Sequence, residues 1–553
     1  MKCKLWIALS LLAAGAVFAQ TNSWQNTGNG YWDVNVNWTH GFPAQTQALC
    51  QIVNSFAKTV TIDEVTTAFN PQTLTISNLV VRGNGVATNT LAVANAGSLV
   101  PLRVLNSFSI STSGALLVTN GAVVVEGPSW NVDGTVEVRE GGSVSVLKGS
   151  TTAGLSSGAD LRIRGGSMIL SNLSVSLSPS STLTMSSGTL TIQRLCYIAG
   201  GASGNGFVWL TGGRLVNTNA SSEMRIGSSG RGSLTISNGT VLAGFARVGL
   251  AGSGTLAIHG GTFAAQSLFQ IGVSGGSGTV WVTNGQLVIT NTPATVGVAT
   301  GMFVDGTCIL NRGRLAISNG VAIVGRAGAG TLTINGGTMT APHLILGNFA
   351  CTARGDVQLN DGNLTITNNA GTAPLDIRNG TFTLNDGLLT VDRIVLTNLC
   401  AQFVWNGGTI AAGAVILAPA ADADGDSLPN DWEQIYGLDP LQFAGDDGPT
   451  GDPDGDGTTN LEEFLAGTDP QDGNSLLRIT AITPEGANIR VTWQTAPDRT
   501  NRLQFTTGDG GGNFTNNFTD LTGNIFTTGT TTNHLHPGGA TPPAHYYRVR
   551  VIP

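Results

Sequence analysis

The sequence predicts an all-β chain: a parallel β-solenoid, then a short acidic module, then a C-terminal β-sandwich. Three observations predict it. The 553 residues include 77 glycines and only 11% charged residues, a composition that favours turns and strands over helices. An eight-residue template recurs through the middle of the chain, and acidic residues crowd into one stretch near its end.

The chain opens with MKCKLWIALSLLAAGAVFAQ, in which Lys2 and Lys4 precede an apolar run from Leu5 to Val17 and small residues end at Ala19. That order is the pattern of a secretory signal, so cleavage is expected after Ala19 and the mature protein outside the cell or on its outer surface. Residues 20–113 carry Trp24, Trp32 and Trp38 among Asn and Gly, and read as a cap with the first irregular coils. An uncapped coil is an edge that invites aggregation. Sugar stacking on these indoles is the sharper alternative. No later stretch reaches the roughly 18 apolar residues that span a bilayer, and the chain shows no sorting tail, so no membrane anchor is expected. Beyond Cys3, the cysteines Cys50, Cys196, Cys308, Cys351 and Cys400 are scattered and odd in number. They read as small buried hydrophobes, not as a disulfide framework or a metal site.

The solenoid is expected over residues 114–420. GSLTISNG (232–239), GTVWVTNG (278–285), GTLTINGG (330–337) and GTFTLNDG (380–387) share glycine at the first and eighth places and apolar residues at the third and fifth. The template starts at Gly114, Gly134, Gly158, Ser181, Gly206, Gly232, Gly254, Gly278, Gly306, Gly330, Gly355, Gly380 and, degenerately, Ala401: thirteen units spaced by 20 to 28 residues. Alternation within a unit is the period of a strand with one buried face, so Leu234 and Ile236 point in and Thr235 out. The closing glycine is expected at positive φ in a turn. A second short stretch ends most units, as in RIG (225–227), RVG (247–249) and QIG (270–272). One unit cannot bury its apolar face alone but stacked units can, at about 4.8 Å per coil, giving roughly 60 Å for thirteen. These repeats resemble those of right-handed parallel β-helices, and most closely the autotransporter-associated and PEP-CTERM-associated repeats of secreted bacterial proteins. The resemblance speaks to architecture and hardly to activity.

The acidic module spans residues 421–474. Residues 421–475 hold 15 of the 34 Asp and Glu and no Lys or Arg, leaving 19 acidic against 26 basic residues elsewhere. Acidity so localised points to a cation and away from nucleic acid. DADGDSLPNDWEQIYGLDP (422–440) and DPDGDGTTNLEEFLAGTDP (452–470) agree at nine of nineteen positions. A hard cation such as Ca²⁺ takes six to eight oxygens, which a twelve-residue loop offers from places 1, 3, 5, 7, 9 and 12 with a bend at 6. In the second loop these are Asp452, Asp454, Asp456, the Thr458 carbonyl, Asn460 and Glu463, with Gly457 at the bend. In the first they are Asp422, Asp424, Asp426, the Leu428 carbonyl, Asn430 and Glu433, with Ser427 at the bend. Two structural Ca²⁺ ions are therefore expected, with a short helix after each loop ending at Gly437 and Gly467. The stretch resembles the calcium-binding repeats of thrombospondin type 3 and dockerin modules.

Residues 475–553 read as antiparallel strands separated by turns, among them LLRITAIT, ANIRVTWQTA, NRLQFTTG and HYYRVRVI. They resemble the fibronectin type III-like or immunoglobulin-like sandwich that closes many secreted bacterial proteins.

Catalytic constellations are scarce. Between Gly114 and Ile410 there are twelve Asp and Glu and a single lysine, Lys148. Asp361 and Asp386 share a template place, but both lie in NDG, where Asp serves the turn. GVSGG around Ser274 lacks the strand-to-helix context of a nucleophile elbow, and His534 and His536 have no third ligand in view. Trp209 and Trp281 take the outward fourth place three coils apart and are candidate ligand-stacking residues, whereas Trp405 falls on the inward side. The expectation is a non-enzymatic structural or adhesive protein with an extracellular polysaccharide or cell-surface component as partner. A polysaccharide-degrading enzyme on a β-helix and a dockerin-like scaffold module are the alternatives.

Overall fold

A computed structural model describes residues 20–146, 152–156, 158–176, 180–217, 222–273, 275–290, 301–509, 513–541 and 544–552. The expected leader, Lys148 and Ser274 lie outside them. The fold is all-β, with a parallel β-solenoid of about 15 turns and antiparallel sheets toward the C-terminus. The chain divides into two compact units, one running to Ile323 with Gly330–Pro342, the other comprising Val324–Ala329 and His343–Pro553.

In the first unit each coil contributes three short strands. Arg231–Ile236, Thr240–Ala243 and Phe245–Val248 pair in parallel with Ser253–Ile258, Thr262–Ala265 and Leu268–Ile271 of the next coil. Because the register is exact from coil to coil, like places stack: Val136, Leu161, Leu183, Val208, Leu234, Leu256, Val280 and Cys308 form one buried column. Cys308 thus serves as the hydrophobe its place requires. Coils precede the first template glycine at Gly114. Gly30–Tyr31, Lys58–Ile62 and Asn89–Ile110 already belong to the same ladder, so residues 20–113 supply coils as well as a cap. In that cap Trp24, Trp32 and Trp38 are at most 2% exposed and meet edge to face. The Trp32 and Trp38 indole N–H groups donate to the carbonyls of Thr73 and Trp32. No indole face here is open to a sugar.

The template glycines have two different jobs. Gly239 closes its unit at φ 92°, as the turn reading expects, but Gly285 and Gly313 do not adopt positive φ. The opening glycine is needed for a different reason: a Cβ on Gly254 would sit 2.2 Å from the carbonyl oxygen of Ile226, the residue on which Val248 stacks. Close coil-to-coil approach, as much as turn geometry, writes glycine into the repeat.

The second unit contains the last coils, the acidic module and the sandwich. Gly380–Leu384 pairs with Ala401–Trp405, and Leu388–Leu396 with Thr409–Leu417. Trp405 pairs with buried Leu384 on the inward side, yet is only half-buried because its strand is the last of this ladder. Cys351 and Cys400 form a disulfide, which the count of cysteines did not anticipate, while Cys50, Cys196 and Cys308 are free and buried. Odd counts conceal a single bridge, and the two halves lie 49 residues apart with no local motif.

In the C-terminal part, Arg478–Glu485, Asn488–Gln494 and Thr531–His536 make one antiparallel sheet. Arg499–Thr506 carries Thr519–Asp520, Ile525–Thr527 and Tyr546–Ile552 in a second. Ile489, Val491 and Trp493 from the first sheet share a core with Leu503 from the second. Helices are few and short: α1 (Glu64–Phe69), α2 (Asn430–Tyr436) and α3 (Asn460–Ala466). Among the described residues no helix is long and apolar enough to cross a membrane.

Candidate metal centre

At places 1, 3 and 5 the two acidic loops are built alike, bond for bond. At place 1, Asp422 Oδ1 accepts from the Gly425 and Asp426 amides and Oδ2 from Ser427; Asp452 repeats this with Gly455, Asp456 and Gly457. At places 3 and 5 one oxygen of each carboxylate is held by a backbone amide. Asp424 and Asp454 accept from Asp426 and Asp456, and these in turn from Leu428 and Thr458. The amides thus fix each carboxylate in one orientation.

What remains is a set of oxygens with nothing to bind. The Oδ2 atoms of Asp424, Asp426, Asp454 and Asp456 are buried without a hydrogen-bond partner, as are both carboxylate oxygens of Glu433 and Glu463. Both glutamates have no exposed surface at all. In each loop the three aspartates present ligand oxygens within 4.8 Å of one another. Oxygens sharing one Ca²⁺ at about 2.3–2.6 Å can be no farther apart than about 5 Å, so each trio fits around a single ion. An all-oxygen, carboxylate-rich donor set suits a hard cation and not zinc or copper.

Without a cation such a cage resists ionisation. Burial first, and then the neighbouring Asp424, Asp426 and Asp422 charges, push Glu433 up to about 9. Burial followed by Asp426 and Asp422 carries Asp424 up to about 8. Burial raises Asp426 to about 6 and Glu463 to about 7, and raises Asp454 as well. A bound divalent cation reverses this logic, because it supplies the positive charge the cage lacks.

Asn430 and Asn460 at place 9 brace the loops. Asn430 Nδ2 donates to the Ala418 carbonyl and its Oδ1 accepts from the Ala423 amide; Asn460 Nδ2 donates to the Asp446 and Gly448 carbonyls. Asn460 Oδ1 stays buried and unpaired, whereas Asn430 Oδ1 is occupied. The Leu428 side chain is fully buried, which anchors the backbone turn at place 7, and Thr458 holds the same place in the second loop. Ser427 sits at φ 81°, matching Gly457 at 92°, so the first bend carries a left-handed non-glycine.

Each loop feeds directly into its helix, and Gly437 and Gly467 close α2 and α3 in the left-handed region as the sequence predicts. Thr459 and Glu462 cap α3 reciprocally. The helices meet through Trp432 and Phe464, 5.5 Å apart and edge to face. On one side the first loop joins the last coil, where the Phe403 amide donates to the Ala423 carbonyl. On the other, a Cβ at Gly467 would lie 2.7 Å from Arg499 Nε, and Gln494 Nε2 donates to the Asn474 carbonyl. The module is therefore wedged between solenoid coils and sandwich.

The remaining sequence candidates fall elsewhere. Asp361 and Asp386 are exposed, and each accepts from the next residue's amide, Gly362 or Gly387; Asp386 does so in a bend, as the turn reading expects, whereas Asp361 lies inside the strand Gly355–Ile366. His536 bonds the Tyr547 hydroxyl and packs edge to face on His545, a neighbour the sequence spacing did not reveal. Trp209 and Trp281 are 44% and 39% exposed. A half-buried ion-pair network was also missed: Glu223 binds Arg225 and Arg247, and Arg247 reaches Gln270. Its signal lay in the first letters of RIG, RVG and QIG, which the register stacks into one column. No family model, curated protein or solved structure matches this chain.

Proposed function

We propose that this is a non-enzymatic structural and adhesive protein of the cell exterior, in which two calcium ions lock the module joining the last solenoid coils to the sandwich. One observation carries the reading: Glu433 and Glu463, thirty residues apart, each bury two unpaired carboxylate oxygens beside three oriented aspartates. A protein gains nothing from twice burying an uncompensated carboxylate cluster, since burying an unpaired charge costs several kcal/mol. Calcium would be held by the free oxygens of Asp424, Asp426 and Glu433 with Asp422, and by their counterparts Asp454, Asp456, Glu463 and Asp452. Bound there, it would neutralise each cage and fix the helices that touch the sandwich. The adhesive half of the reading rests on the outward Trp209 and Trp281 and on the local engagement of Asp361 and Asp386, each held by the next residue's amide.

Incubating the purified protein with neutral and acidic polysaccharides and assaying released chain ends tests the non-enzymatic claim. No new ends are expected. Release that disappears in Asp361→Ala or Asp386→Ala would establish the enzyme reading instead.

A further inference from the structure

We propose that the outward side of the first ladder, from the coil of Phe207 to that of Thr331, is a binding platform for a neutral polysaccharide lying along the coil axis. The inference deepens the adhesive reading above and rests on it. Two outward rows run along this ladder. One is Phe207, Ser233, Thr255, Thr279, Thr307 and Thr331; the other is Trp209, Thr235, Ala257, Trp281, Ile309 and Thr333.

Neither row contains a charge across six coils, although the same places two and three coils earlier hold Glu137, Asp160 and Arg162. Arg231 stands one row outside. The rows instead pair hydroxyls with three large exposed aromatics, Phe207, Trp209 and Trp281. That combination matches a ligand which is uncharged, rich in hydroxyls and apolar on its ring faces. A polyanion would find no cation in the rows, and a protein partner would find no salt-bridging rim.

Burial along the second row agrees. Thr235 takes an outward place yet is only 9% exposed. Of its ladder neighbours, Trp209 and Ala257, the indole is the larger cover, and it remains 44% exposed itself. Trp281 stands three coils on, roughly 14 Å away, with small Ala257 between, so two stacking stations share one line. Intervening hydroxyls can exchange hydrogen bonds with the sugars that bridge them.

The test is affinity electrophoresis of the full chain in gels containing xylan, a mixed-linkage β-glucan or polygalacturonate, with Trp209→Ala, Trp281→Ala and the double variant. Retardation is expected on a neutral polymer and not on polygalacturonate. Each single variant should weaken it about tenfold and the double variant abolish it, as for central aromatic anchors. Both positions are surface places, and unchanged melting curves would certify folding. Binding by the double variant equal to that of the unaltered chain would overturn the platform while leaving adhesion elsewhere intact. Retardation on polygalacturonate alone would overturn the neutral-ligand assignment. No binding by the unaltered chain to any polymer would overturn the platform and the adhesive reading together.

Discussion

Ser427 and Gly457 occupy the same bend in the two loops, both at positive φ. An L-residue there costs about 1–2 kcal/mol, partly returned because glycine also frees the unfolded chain. Ser427→Gly should therefore stabilise the module by about 0.5–1 kcal/mol, and Gly457→Ser should cost about as much. Urea denaturation at fixed calcium reads both, and an unchanged or lowered midpoint for Ser427→Gly would contradict the strain argument. The bend was legible from the sequence because the spacing of Asp, Gly and Glu fixes the loop's geometry. The double duty of Asn430 was not, since nothing in its spacing tells that its amide oxygen belongs to Ala423. Nor was the sharing of Glu223 between Arg225 and Arg247, which depends on coils 22 to 24 residues apart falling into register.

At the scale of elements, strands were easy to locate and their ends were not. Ten of the thirteen template units head strands in the first compact unit, yet three further strands precede them without the glycine signature. Their inward residues, such as Val60, Ile62, Leu91 and Val93, obey the same alternation, so the pattern survived where the punctuation did not. The disulfide is the element no pattern announced. It ties the loop before Gly355 to the loop before Ala401, and so spans the intervening coil that begins at Gly380. Closing a loop of 49 residues removes unfolded-state entropy, and its loss should cost about 2–4 kcal/mol. Cys351→Ser with Cys400→Ser should lower the midpoint of the last coils in hydrogen exchange. Exchange there equal to that of the unaltered protein would show that the bridge bears no load.

For the whole molecule, the acidic module is where sequence and structure together say most. Duplicated spacing named candidate donor residues, and the fold supplies what spacing could not: which oxygens are already spent on backbone amides and which are left over. The first loop, with serine at its bend, is the more deeply buried, because it docks against the last coil through Ala423 while Leu428 is enclosed. Occupied cages would hold α2 and α3 between coil and sandwich. At a hundredfold excess over Kd each ion should add about 2.7 kcal/mol of stability to that part of the chain. The most direct measurement is isothermal titration of the chelator-stripped protein with calcium, paired with melting curves and repeated on Glu433→Gln with Glu463→Gln. The account requires two ions per chain and a higher melting temperature with calcium. In the double variant, calcium binding should be lost while the metal-free protein at neutral pH melts higher than its parent, since burial no longer forces two glutamates to take up protons. Absence of stoichiometric binding, with one melting temperature in calcium and in chelator, would contradict it.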